Sequence, residues 1–157
     1  LTQPGLEAIF VEVFCRRGKL LLACAYCPPL VREHSYALLH DSLQRIDPSR
    51  FSALFLFGDF NSHINWSDPE TPIPSNPLDD VLLDILETTG LTQLCDSPSY
   101  TSRNGTTTFL DLALTNNPTL SHRCTVIPSL PGSDHRALLT NIHCTAPKQG
   151  HQARNFL

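Results

Sequence analysis

Apolar residues in this 157-residue chain fall into short blocks with two different periods. Ala8 to Phe14 and Leu20 to Tyr26 are dense in aliphatic, aromatic and β-branched residues and predict two strands. Arg16-Arg17-Gly18-Lys19 between them reads as a hairpin turn, and Pro28-Pro29 ends the second strand. From Glu33 to Ile46 the residues Tyr36, Leu39, Leu43 and Ile46 recur at helical spacing, and Asp47-Pro48 stops that helix. Ser52 to Phe57 is a continuous apolar run, the mark of a strand covered on both faces. Asn61 to Pro77 is a long loop with four prolines and the only tryptophan, and loops of that length are often functional. A second helix follows, with Asn76 as N-cap, Pro77 in the first helical position, and Asp79 and Asp80 in the first turn. Leu78, Leu82 and Ile85 form its buried stripe, and Gly90 suits its end. Leu91 to Cys95 reads as a short strand, and Thr106 to Thr115, Arg123 to Ile127 and Arg136 to Cys144 as three more. Strands with two helices predict an α/β or α+β sandwich with helices packed on a sheet. Residues 1–146 form one domain in this reading, and 147–157 a polar, disordered tail.

Composition narrows the class. Hydrophobic content of 41% and charged content of 17% suit a soluble globular domain. No apolar run reaches the roughly 18 residues of a membrane span, so no membrane partner is expected. No secretory signal is visible, and the chain starts at Leu1 without any methionine, which suggests a fragment of a longer product. Net charge is −4, with nine Arg and two Lys. Electrostatic binders of nucleic acid show a basic face, so any affinity of this kind should be weak and local. Most of the six cysteines lie in or beside apolar runs, and they read as reduced, small hydrophobic residues of an intracellular protein. Cys24 and Cys27 have the spacing of half a zinc site. A second pair is missing, and the two sulfurs would leave a strand on opposite sides.

Three motifs carry candidate chemistry. Gly58-Asp59-Phe60-Asn61 follows an apolar run, and Ser133-Asp134-His135 precedes one. Asp111 sits within the apolar pattern Thr108-Phe109-Leu110-Asp111-Leu112, where an unpaired carboxylate is costly and a partner is expected. Singly, each has a plain explanation as a turn or a structural hydrogen bond. Together they supply strand-end acids, an amide and a histidine, a set that fits metal-assisted attack on a phosphate ester.

These stretches resemble the endonuclease/exonuclease/phosphatase superfamily, and within it the endonuclease domain of non-LTR retrotransposon polyproteins. The matching segments are Ala25-Tyr26-Cys27-Pro28-Pro29, Phe57 to His63, Tyr100-Thr101-Ser102 with Phe109-Leu110-Asp111-Leu112, and Gly132-Ser133-Asp134-His135, in the family's order. The resemblance implies an α/β fold, part of a four-layer sandwich of two mostly antiparallel sheets flanked by helices. It implies that Asp59 positions or deprotonates the attacking water near a Mg²⁺ (or Mn²⁺) ion that Asp134 helps to hold. Asn61 and His135 would bond the phosphate, Asp111 would orient His135, and Tyr26 would contact the phosphate as well. His63 and Trp66 would either stack on nucleic acid or cover apolar surface.

One departure stands out. The family's N-terminal asparagine and its principal metal-binding glutamate have no counterpart; Glu7 and Glu12 lie in the following strand instead. The opening strands are therefore expected to be missing, leaving an exposed sheet edge. The resemblance implies a DNA endonuclease, weak or inactive as this fragment, fused to a reverse transcriptase in its parent and acting in the nucleus. The alternatives are a phosphoesterase acting on small or lipid phosphate esters, and a non-catalytic structural remnant.

Overall fold

The structure, a computed structural model, describes residues 3–147. The expected tail therefore lies almost wholly outside the described residues. The hairpin forms as β1 (Glu7–Cys15) and β2 (Gly18–Tyr26), paired antiparallel from Glu7↔Tyr26 to Cys15↔Gly18 across a turn of Arg16 and Arg17. The helix α1 (Arg32–Gln44) carries the chain back to β3 (Ala53–Asp59), which pairs parallel with β2. The next helix is α2 (Pro77–Thr89). It starts as the sequence suggests: the Asn76 side chain accepts from the N–H groups of Leu78 and Asp79. It ends on Gly90 in the left-handed conformation that glycine adopts without strain. Short strands β4 (Thr92–Gln93), β5 (Tyr100–Thr101) and β6 (Thr107–Thr108) precede β7 (Asp111–Thr115), and β8 (Thr125–Ile127) and β9 (Ala137–Leu139) close the described chain.

The main sheet has the order β1-β2-β3-β7-β4, and β5-β6 and β8-β9 form two separate ribbons. One face of the main sheet packs against α1 and α2 through Leu21, Ala23, Leu54, Leu56, Leu112 and Leu114, with Tyr36, Leu39, Leu82 and Ile85 above them. The other face centres on Leu20, Phe55, Ala113, Cys95 and Cys124, against which Leu120, Leu138 and Ile142 pack. That second layer stops short. Ile9 is 61% exposed and Val11 46%, so this face of the β1 edge strand is bare along that stretch.

Several boundaries differ from expectation. The strand expected over Thr106 to Thr115 is broken, and Asp111 is the first residue of β7 rather than the middle of a strand. Phe109 and Leu110 are buried but lie outside the named strands, although the Leu110 carbonyl still accepts from the Phe60 N–H at 2.9 Å, one step beyond the β3–β7 ladder. The stretch from Arg136 to Cys144 keeps ladder pairing over only three residues.

The cysteine reading needs a correction. Cys15 and Cys144, 129 positions apart in sequence, form a disulfide with their Cα atoms 6.0 Å apart. The end of β1 and the C-terminal stretch run side by side there, the Arg16 N–H donating to the Thr145 carbonyl at 2.7 Å. Cys24, Cys27, Cys95 and Cys124 are free. Burial pushes the Cys27 thiol up to about 12, which suits an inert core residue.

Thiol titration of the unfolded, unreduced chain should find four reactive cysteines rather than six. Replacing Cys144 with Ser should lower stability by about 2–4 kcal/mol, measured by urea unfolding, because a long loop is no longer closed.

Candidate active site

Strand register brings the acids together. Asp59 ends β3, Asp111 begins β7, and the two are direct partners in the antiparallel ladder. Tyr26 is the parallel partner of Asp59 on the other side and is exposed. Neighbouring strands lie about 4.8 Å apart, so three strands deliver Tyr26, Asp59 and Asp111 to one end of the sheet. Gly58 makes this end possible. A Cβ there would stand 1.8 Å from the carbonyl oxygen of Ala25, and the residue's φ is +150°, so only glycine permits the approach of β2 to β3.

His135 comes from the far end of the chain and joins the two acids. Its Nδ1 lies 2.7 Å from Asp111 Oδ2, which is the expected pairing. Ligating atoms of Asp59, Asp111 and His135 all lie within 4.8 Å of one another. Partial burial alone would lower the His135 pKa. The Asp111 hydrogen bond and the charges of Asp111, Asp59 and Asp134 outweigh it, so the imidazole titrates above its ordinary value. Asp59 moves up as well, chiefly by burial, although the Asn61 N–H donates to its Oδ1 at 2.9 Å and opposes the shift.

Ser99 was not anticipated, and it is central. Its buried hydroxyl donates to Asp111 Oδ2 at 2.6 Å and accepts from the Asp111 N–H at 3.1 Å. Its carbonyl accepts from the Arg136 N–H, and the next residue, Tyr100, bridges to His135 with ring centroids 5.1 Å apart. Ser99 and Tyr100 thus fix both members of the His135–Asp111 pair. The only hint in the sequence is position: Ser99 abuts the Tyr100-Thr101-Ser102 motif.

Asn61 is held by a second network. It is the one described non-glycine residue with positive φ (+48°), and its Nδ2 donates to the Cys27 carbonyl at 3.1 Å. Arg32 donates to the Asn61 carbonyl and, at 3.1 Å, to Asn76 Oδ1. Asp79, read from the sequence as a first-turn acid, is fully buried. Its carboxylate accepts from the His63 N–H, the Ser75 N–H and Asn76 Nδ2, with Arg32 Nη1 3.9 Å away. The latch ties the long loop and the α2 N-terminus to Asn61.

Two candidates stand apart from the cluster. Asp134 is exposed in the turn after Gly132 and does not join the three-residue group, although its charge reaches His135. Trp66 is 5% exposed within the main core, so it cannot stack on a substrate. Residues 60 to 67 alternate in burial, with Phe60, Ser62, Ile64 and Trp66 inward, a period-2 signal that was present in the sequence. His63 points to the exposed side of that alternation and lines a cavity of about 430 Å³ with Asn65, Ser75 and Thr108.

The donor set suits a hard divalent cation. Asp59 and Asp111 each have one carboxylate oxygen outside the hydrogen bonds described above, and Mg²⁺ is bound through one or two carboxylates while keeping several waters. The lifted Asp59 pKa marks a carboxylate that a nearby cation would stabilise in its charged form.

NMR titration of the His135 imidazole should give a midpoint above 6.5 in the native chain and a lower one in Asp111→Asn. The folded value lies above the unfolded one, so the pair's contribution to stability is complete below about pH 6.5 and fades as pH rises through the folded value. Asp79→Ala should cost about 3–5 kcal/mol in chemical denaturation, because it leaves the Arg32 charge without its partner.

The profile of the family described as Endonuclease-reverse transcriptase matches residues 20–139. No curated protein sequence matches the chain. Among solved structures, the endonuclease domain of TRAS1, a telomere-specific non-LTR retrotransposon, superposes with a TM-score of 0.66 at 19% identity, covering 87% of this chain and 63% of that one. The catalytic domain of Xenopus laevis APE2 gives 0.63 at 16% identity, covering 90% and 57%. The inositol polyphosphate 5-phosphatase domain of SpSynaptojanin, solved with inositol (1,4)-bisphosphate and calcium, gives 0.53 at 16% identity, covering 89% and 53%. The chain therefore spans little more than half the length of these structures, and at such identities the likeness is one of fold. With the profile covering most of its length, the chain belongs to the Endonuclease-reverse transcriptase family and carries part of the endonuclease/exonuclease/phosphatase α/β fold.

Proposed function

We propose that this chain is the larger part of a DNA endonuclease domain from a retrotransposon polyprotein, hydrolysing phosphodiester bonds with the help of Mg²⁺ or Mn²⁺. The observation that carries this reading is the Asp59–Asp111–His135 cluster, built on strand ends by a chain of this family. A divalent cation held by Asp59 and Asp111, with Asp134 at the rim, would supply charge stabilisation for the phosphate. His135, with Nδ1 committed to Asp111, leaves Nε2 for the phosphate and stays protonated to higher pH than a free imidazole. A hydrogen bond from Nε2 can strengthen as charge builds on a phosphate oxygen. Asp59 orients or deprotonates the attacking water, and its raised pKa makes it a better base than a solvated aspartate. Asn61, whose Nδ2 donates to the Cys27 carbonyl and whose side-chain amide also reaches Asp59, would bond the phosphate from beside that carboxylate. Tyr26, exposed beside Asp59, adds a hydroxyl on the same side.

In this reading the family's glutamate lies on strands ahead of β1, which would cover exposed Ile9 and Val11. DNA contact is local, since the chain has a net charge of −4. A fused reverse transcriptase and a nuclear site of action belong to the same proposal. The Cys15–Cys144 disulfide weighs against the intracellular part of it, because reducing compartments disfavour such bonds.

Nicking of supercoiled plasmid tests the reading. The chain alone should nick little in Mg²⁺ or Mn²⁺. Fusion to an N-terminal segment carrying the family's glutamate should restore cleavage, with His135→Ala losing about 10²–10⁴-fold and Asp59→Ala inactive. Silence of the fused protein under all conditions would favour the non-catalytic remnant instead. The rate should be bell-shaped in pH. Its acid limb belongs to Asp59, above the usual 3.8, and its basic limb to His135, above 6.5. Asp111→Asn should move the basic limb downward.

A further inference from the structure

A second polar site lies at the opposite end of the main sheet. The β1–β2 turn, the C-terminal stretch and the loop before β3 enclose a cavity of about 320 Å³. Arg16, Arg17, Ser52 and His143 supply its polar lining, and Leu20, Leu120 and the Cys15–Cys144 disulfide its apolar walls. Among the described residues the lining contains no acid. The nearest carboxylate of the hairpin, Glu12, belongs to the other face of the sheet by strand alternation and is engaged by Lys19 and Arg50, at 3.1 and 3.0 Å. His122 rests edge-on against His143, with ring centroids 4.5 Å apart, and adds a second imidazole beside the cavity.

The pocket is well anchored. The His122 N–H donates to the Asn141 carbonyl and the His143 N–H to the Leu120 carbonyl, on either side of the Ser121–Ile142 bridge. The disulfide and the Arg16–Thr145 backbone bond tie the same stretch to the hairpin. β2 runs from this end to Tyr26, so the cavity lies roughly 25 Å from Asp59, at about 3.3 Å per residue. A ligand here cannot touch the catalytic cluster.

We infer that this cavity binds a small phosphate ester of mononucleotide size, the arginines taking the phosphate and the apolar walls the organic part. Local charge decides between the possible ligands. Two guanidiniums with no acid among the described lining residues favour an anion, and arginine forms bidentate bonds with phosphate oxygens. The concentration of positive charge is conspicuous on a chain with a net charge of −4.

Amide NMR titration of the whole chain with inorganic phosphate and with AMP, without divalent metal, tests the site. Saturable shifts are expected at Arg16, Arg17, Ser52, His143 and Thr145, with AMP binding more tightly than phosphate. Arg16→Ala/Arg17→Ala should weaken AMP at least roughly tenfold, the scale of losing charge-assisted hydrogen bonds. Both side chains lie in an exposed turn, so the fold should survive. Should it not, His143→Glu places an acid in the lining and should abolish binding. No saturable shift at these residues, AMP no tighter than phosphate, or affinity unchanged in the variants overturns the inference. So does a parallel Zn²⁺ titration that shifts the His122 and His143 rings while neither anion does.

Discussion

Two carboxylates meet as direct partners at the end of a buried ladder, and the site is organised around that conflict. Like charges opposite one another in an antiparallel pair destabilise a sheet. Asp59 and Asp111 occupy such positions, and each has its own remedy. Asp59 is half-buried, capped by one backbone N–H, and drifts toward its protonated form. Asp111 takes a serine hydroxyl and an imidazole on one oxygen. The asymmetry separates two chemically identical groups into a base that gains from a cation and an anchor that holds the histidine and raises its pKa. Gly58 lies beneath both, because without its close approach to Ala25 the strands could not align there.

The backbone elements were readable because their signals are local. Asn76, Pro77 and Gly90 announce the ends of α2 through capping chemistry that needs no tertiary context. The helical spacing of Tyr36, Leu39 and Leu43 and the apolar run of β3 worked for the same reason. The His135–Asp111 pair was legible through the combination of motifs and the cost of an unpaired strand acid. Ser99, Asp79 and Arg32 were not. Their roles depend on which loops pass one another, and nothing within a few residues of Asp79 reveals that its first-turn carboxylate is fully buried. The cysteines failed for a related reason: Cys15 and Cys144 are 129 positions apart, and only the assembled sheet makes them neighbours.

The site also shows how an irregular loop can be made rigid without regular structure. Residues 61 to 76 contain almost no ladder pairing beyond a single bridge between Asn65 and Ile73. Order comes from inside, through the buried sequence of Phe60, Ser62, Ile64 and Trp66, and from Asp79, which gathers two backbone N–H groups and an amide. Arg32 joins this network to the Asn61 carbonyl. Asn61 can therefore keep a left-handed backbone that few side chains tolerate.

The Cys15–Cys144 bond turns almost all of the described chain into a covalent ring. Every element from β2 to β9, and every residue of the acid–histidine cluster, lies inside that ring. A protease that cuts one exposed bond, for instance near Pro69 in the long loop, leaves a single molecule whose two ends remain joined.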